Sequence, residues 1–136
     1  MDCKNSARNY DMEKNYKQFK LLNVATISGS RVSQFEGVKK YIATADIDFN
    51  KIVSGEDVSH LDKPSRADLM MTNDDVLFAK MKSTKKVLAG VADVEDLIFS
   101  TGFYILKPND GISKKYLYFY LLSDEFNRQK DMYCSG

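Results

Sequence analysis

The sequence contains few of the residues that most catalytic and cofactor sites require. It has two cysteines, two prolines and one histidine in 136 residues. Cys3 and Cys134 show no CxxC or Cys/His spacing, so a reduced, cytoplasmic protein is expected. His60 has no Cys, Asp or second His at ligand spacing, which is typical of a surface histidine. Pro64 and Pro108 are isolated, so the Pro-Pro dipeptide with which an adenine methyltransferase grips a flipped base is missing.

Other enzyme signatures are missing as well. No Gly-x-Gly cofactor loop occurs. The acid-x-Lys triplet of a metal-dependent nuclease occurs once, as Asp2-Cys3-Lys4, within a polar segment. No apolar run is long enough to span a bilayer, and residues 1–15 show no secretory signal. These absences argue against an enzyme, against a bound cofactor or metal, and against contact with a membrane, and they become decisive for the first only together with the resemblance described below.

The composition is that of one soluble globular domain. Hydrophobic residues make up 43% and charged residues 29% of the chain. Residues 1–15 lack hydrophobic periodicity and are expected to form a flexible tail. Residues 16–136 are long enough to bury a single core, so one domain is expected there.

Charge is distributed unevenly, although the net charge is only +1. The segment 41–78 is acidic, with three basic residues against eight acids, whereas residues 79–92 carry four lysines and no acid. Three of those lysines and two hydroxyls form a loop at 82–86, which we call the basic loop. Separated basic segments can hold a phosphate backbone if folding brings them to one face. The alternative is that each lysine run is a solvated loop.

The hydrophobic pattern predicts a mixed α+β fold. Apolar runs at 76–81, 87–92 and 97–106 are typical of buried strands, and their short connections favour antiparallel pairing. We expect a curved, mostly antiparallel sheet from residues 41–106, flanked by C-terminal helices. Ser113 is a plausible N-cap for a helix over 114–124. Residues 48–65 are polar and irregular.

The first C-terminal helix is apolar nearly all round. Its Tyr, Phe and Leu residues lie at helical spacing, which is more often a core pattern than an interface. This helix also supports one hypothesis for the function of the chain. The chain would be a protein-interaction module that docks through its aromatic helix and does not itself bind DNA.

Five motifs in order resemble the target recognition domain of the DNA-specificity subunit of type I restriction-modification systems. They are ISG (27–29), YIATADI (41–47), DDVLFAKM (74–81), FSTGFYILKP (99–108) and ISKKYLYFYLLSDEF (112–126). The resemblance covers about residues 16–136, and the terminal Ser135-Gly136 matches the "SG" that precedes the family's helical spacer. Two positions depart from the family pattern. Asp74 replaces a usual glycine, and the basic loop has no glycine where the family often has one.

The resemblance implies a non-catalytic DNA reader with a DNA methylase specificity domain-like fold. In the family, two such domains joined by helices each read one half of a split double-stranded target. Those helices dock methyltransferase (modification) subunits, which in turn recruit the restriction subunits. Because the chain ends at "SG", we expect it to lack the spacer, to bind DNA weakly by itself and to be able to self-associate.

The resemblance and the charge pattern together select ten candidate DNA contacts. Arginine forks suit the O6 and N7 atoms of guanine, whereas lysines suit phosphates. For each arginine the alternative is a salt bridge to the acidic segment 41–78. The two hydroxyls of the basic loop either reach base edges or cap a turn. The ten candidates are Arg31, Lys39, Lys40, Arg66, Lys80, Lys82, Ser83, Thr84, Lys85 and Lys86.

Overall fold

The structure is a computed structural model that describes residues 21–133. The predicted tail at 1–15 and the motif at Ser135-Gly136 lie outside the described residues. The strands in chain order are β1 (Ala25–Ile27), β2 (Ser30–Arg31), β3 (Lys39–Ile42), β4 (Ile47–Asp48), β5 (Lys51–Ile52), β6 (Glu56–Val58), β7 (Ala67–Met70), β8 (Val76–Ala79), β9 (Val87–Ala89), β10 (Leu97–Ser100) and β11 (Phe103–Pro108). The helices are α1 (Leu21–Val24), α2 (Lys114–Leu122) and α3 (Asp124–Tyr133), with 3₁₀ turns at Thr44–Asp46 and Val94–Asp96.

The described strands form two larger sheets and one ribbon. Sheet I has the order β1-β11-β8-β9 and is antiparallel throughout. Sheet II has the order β2-β7-β10-β3-β6, in which β10 and β3 are parallel and the other neighbours antiparallel. The ribbon pairs β4 with β5, inside the segment expected to be irregular. The α+β class with mostly antiparallel pairing and C-terminal helices is thus confirmed, with the strands divided between sheets.

The two sheets and the helices stack as layers around three apolar clusters. One cluster lies between sheet I and the helices and contains Phe78, Leu117, Leu121 and Phe126. The second lies between the sheets, and the third covers the other face of sheet II. Sheet I therefore has both faces buried. This explains why all four residues of β8 are buried and why its sequence shows no alternation.

The run at 97–106 is two strands, not the single strand predicted. β10 belongs to sheet II and β11 to sheet I, so the chain changes sheet at Thr101-Gly102. The Ser100 hydroxyl accepts the N–H of Gly102 at 2.9 Å, which stabilises this turn. Because β10 and the first four residues of β11 are buried, hydrophobic periodicity did not reveal the break.

Serine residues define both C-terminal helices. The Ser113 hydroxyl accepts the backbone N–H of Tyr116 at 2.9 Å, so the predicted N-cap of α2 is confirmed. The Ser123 hydroxyl accepts the N–H of Phe126 at 3.1 Å and in this way caps α3. The short break at Ser123 lets α3 turn back, so that Phe126 contacts the Phe78 ring edge-on at 5.1 Å. α3 is thereby held against sheet I.

Candidate nucleic-acid interface

The turn at Thr101-Gly102 is the point at which several candidate residues meet. The Gly102 carbonyl accepts the backbone N–H of Lys80 at 2.9 Å, and the N–H of Thr101 donates to the Arg66 carbonyl at 3.0 Å. A methyl group placed on Gly102 would lie 2.9 Å from Arg66 Nη2 and 3.0 Å from Thr44 Cγ2. Glycine therefore makes room for the exposed Arg66 side chain at the end of both sheets.

Lys86 joins this cluster from the hairpin of β8 and β9. Its Nζ donates to the Thr44 carbonyl at 2.8 Å, beside the Gly102 turn. We use the name basic end for Arg66, the turn Thr101-Gly102 and the basic loop. These segments come from three separate parts of the chain, and Arg66 comes from the segment that is acidic overall.

Lys80 lies within the fold at the basic end. It is only 7% exposed, and its Nζ lies 4.2 Å from the centroid of the Tyr104 ring. A cation over an aromatic face is stabilised by the negative potential of the ring. The ammonium group of Lys80 is therefore directed toward the Tyr104 ring, within the fold.

The basic loop is anchored to α3. Lys85 Nζ lies 2.7 Å from Asp124 Oδ1. Ser83 donates its backbone N–H to Asp131 Oδ1 at 2.9 Å. The buried Lys130 donates to the carbonyls of Met81 and Thr84, at 2.6 and 2.5 Å. The loop is therefore a packed element whose shape is set by α3.

Both hydroxyl residues of the loop have structural partners. Thr84 Oγ1 donates to the Met81 carbonyl at 3.1 Å and so closes the turn. Ser83 has φ 63°, in the left-handed region that side chains disfavour. The related family often places glycine within this loop. In this chain a serine takes the left-handed conformation, and its backbone N–H is bound by Asp131.

The remaining candidates lie on sheet II. Arg31 forms a 2.6 Å salt bridge with Asp68, in the acidic segment, while its side chain stays 83% exposed. Lys39 donates to the Glu95 carbonyl at 2.7 Å and lies 5.5 Å from the Phe35 ring centroid. Lys40 is exposed and pairs with Leu97, the first residue of β10. The Gly102 turn follows the last residue of β10, so Lys40 lies at the opposite end of that strand. Lys39 and Lys40 belong to β3 itself, not to a loop before it. Lys39 and Lys40 are thus not part of the basic end, whereas Arg31 pairs with Asp68, two residues after Arg66 in the chain.

Two pKa values are shifted in the anchor between the loop and α3, one by a charge partner and one by burial. The hydrogen bond from Lys85, and the charge of that residue, hold the pKa of Asp124 below its ordinary value. Burial lowers the pKa of Lys130, and the neighbouring Asp131 opposes that shift. Asp131 Oδ1 is 3.6 Å from Lys130 Nζ, so this pair lies beside the loop carbonyls that Lys130 binds.

Sequence reasoning missed Arg128, Lys130 and Asp131. A signal was present, because the buried residues Phe126, Asn127 and Lys130 have the i, i+1, i+4 spacing of one helix face. A lysine on the apolar face of a helix needs buried partners, and carbonyls of a neighbouring loop are the partners found.

Metal-ligand clusters and membrane-spanning helices are both absent from the described residues. Residues 21–133 hold no group of three or more His, Cys, Asp or Glu side chains arranged for a metal ion. Nor does any helix within those residues have the length and apolar character needed to cross a membrane.

Comparison with known proteins shows which solved structures resemble this fold. No family model and no curated protein matches the sequence. Among the solved structures that match are two with a TM-score of 0.64 and 26% identity. One is the crystal structure of the HsdS subunit from Thermoanaerobacter tengcongensis. The other belongs to work on complex assembly and conformational transition of the type I R-M system. Each match covers 76% of this chain and 28% of the other chain.

The resemblance to a target recognition domain of type I specificity subunits is confirmed by these structures. The chain spans about 28% of the length of each matched chain, so it corresponds to one part of such a subunit.

Proposed function

We propose that this domain reads one half of a bipartite double-stranded DNA target for a type I restriction-modification complex. The observation that carries the proposal is the structural match to HsdS at 26% identity. The convergence of Arg66, Lys86 and the basic loop at one end of both sheets gives that match a chemical basis. Phosphate contacts position a protein on DNA, and base-edge contacts supply sequence preference.

Within the basic end, different residues suit different parts of the duplex. Arg66 is exposed and its planar guanidinium can pair with guanine in the major groove. Lys82, Lys85 and Lys86 suit phosphate contacts, because an ammonium group is a flexible point charge. Lys80 is left out because it is buried. Arg31 is exposed and pairs with Asp68, close to Arg66 in the chain, so it could reach the same duplex. Lys39 and Lys40 would contribute only if the DNA also passed along sheet II.

The proposed reader is non-catalytic and needs no cofactor. Methylation and cleavage would be performed by the modification and restriction subunits of the complex. Those subunits, together with duplex DNA, are the partners we propose.

The test is a salt series with a labelled duplex of about 20–30 bp and random sequence. Binding should weaken steeply between about 50 and 200 mM salt, because bound counterions are released from the phosphates. The triple variant K82A/K85A/K86A should bind more weakly and with a shallower salt dependence. The control K51A/K107A/K115A removes three exposed lysines outside the basic end. If both triple variants bind the duplex with equal affinity, the basic loop does not contact DNA.

A second candidate function follows from α2. Tyr116 and Phe119 are 53% and 56% exposed, although Leu117 and Leu121 on the same helix are buried. An exposed aromatic pair suits contact with another protein or with a second copy of this chain. A stable protein complex that persists at high salt, without affinity for DNA, would favour this alternative.

A further inference from the structure

The contact between the basic loop and α3 leaves an open groove of mixed charge. It is lined by Lys82, Lys85, Asp124, Asn127, Arg128, Asp131 and Met132. The groove is next to the proposed DNA contacts, but five of its seven lining residues belong to α3, which neither the charge pattern nor the motifs assigned to DNA.

The acids of this groove already have partners. Asp124 pairs with Lys85 at 2.7 Å. Asp131 accepts from Ser83 and lies 3.6 Å from the buried Lys130. Each carboxylate is therefore matched by one lysine. Because each carboxylate is paired with a lysine, it does not offset the positive charge of the other cations in the groove at short range.

Two cations remain available in the groove. Lys82 and Arg128 are both exposed, and within residues 21–133 neither side chain forms a salt bridge or side-chain hydrogen bond. Arg128 acts on Asp124 only as a nearby charge. The guanidinium suits an anion with two oxygens, such as a phosphate, whereas the lysine adds a mobile point charge.

We propose that the groove between the basic loop and α3 binds a backbone phosphate of the DNA through Lys82 and Arg128. Lys130 and Asp131 are positioning residues for this subsite, because they fix the loop carbonyls and the Ser83 N–H against α3. The proposal rests on the proposed function and adds α3 to its DNA-binding surface. It assigns Arg128 a direct contact with the phosphate.

The experiment compares K82Q, R128Q and the double variant with the wild-type chain in the same random-duplex salt series. Each single change should lower affinity about fivefold to tenfold near 0.1 M salt and reduce the salt slope by about 0.9. The double variant should lose little more slope than either single variant, because both cations serve the same phosphate. R128K retains the charge and should keep most of the slope, which a merely structural role of Arg128 would not predict.

The matched control is K107Q, which also removes one exposed charge. Lys107 lies near the end of β11, five residues beyond Gly102 and so about 16 Å along the strand. If R128Q and K82Q bind like K107Q while K82A/K85A/K86A loses affinity, the groove is refuted and the proposed function stands. If the wild-type chain binds no duplex at low salt, the proposed function fails, and the groove fails with it.

Discussion

The backbone N–H of Ser83 donates a hydrogen bond to Asp131 Oδ1 at 2.9 Å, across 48 positions of sequence. Ser83 has a left-handed backbone, with φ 63°, and the acceptor is a helix side chain in the same groove as Lys82. One hydrogen bond thus connects a disfavoured loop conformation to the packing of α3.

The pair of variants D131A and D131N separates this hydrogen bond from charge. Both remove one negative charge, so both increase attraction to DNA at long range. Asparagine keeps an oxygen that can accept the Ser83 N–H, whereas alanine does not. We expect D131A to be less stable than D131N by about 0.5–1.5 kcal/mol and to bind DNA more weakly. Urea denaturation and the random-duplex assay measure the two effects, and equal DNA affinity would show that the anchor does not shape the interface.

Gly102 offers a test of Arg66 that leaves its charge in place. Gly102 is not among the residues with positive φ, so alanine fits the backbone, but its methyl group would lie 2.9 Å from Arg66 Nη2. The flexible guanidinium should move aside at a cost to stability below about 1 kcal/mol. If Arg66 reads a base, G102A should relax preference at one base pair by about 1–3 kcal/mol, as R66A should. An unchanged preference in both variants, measured against single-base substitutions in the selected site, would remove Arg66 from the reading surface.

Phe126 is the main apolar contact between α3 and sheet I. It is fully buried and touches Phe78 at 5.1 Å and Tyr120 at 5.6 Å between ring centroids. Replacement by alanine should lower the free energy of unfolding by about 3–5 kcal/mol, because a large cavity opens. The control F119A removes a half-exposed ring from α2 and should change stability by about 0.5 kcal/mol or less. Similar denaturation midpoints for the two variants would contradict the packing described.

The pKa of Tyr120 is raised to about 12 from its ordinary 10.0, first by burial and then by the charge of Glu125 and by Tyr116. A raised pKa in the folded state means that neutral Tyr120 stabilises the fold fully below pH 10.0. That contribution is lost as the pH rises from 10.0 to about 12. Y120F should therefore lose less stability than the wild type across this window. If the denaturation midpoints of Y120F and of the wild type fall equally over this pH range, ionisation of Tyr120 does not destabilise the fold.

Local signals in the sequence predicted much of the fold. The run at 76–81 became β8, and Ser113 became an N-cap, because both depend on neighbouring residues only. The change of sheet at Thr101-Gly102 did not follow from the pattern, because buried residues continue on both sides of the turn. The ribbon of β4 and β5 was missed because two-residue strands carry almost no periodicity.

The sequence predicted which cations belong to the candidate site, but not which partners they bind or whether they are buried. Charge counting found the basic loop, yet it gave no sign that Lys85 pairs with Asp124 or that Lys80 is buried over Tyr104. Those partners are distant in sequence, and only the packing of α3 and β11 brings them close. For the same reason the Arg31 salt bridge to Asp68 was left as one of two alternatives.

The measurement that tests the central claim most directly is selection of duplexes from a random pool by the type I complex that contains this chain. It is carried out twice, once with residues 16–136 intact and once with another target recognition domain in their place. The account predicts a recovered motif in two parts, of which only one changes on exchange. Recovery of the same two-part motif from both assembled complexes, or of no motif above the input pool, would contradict it.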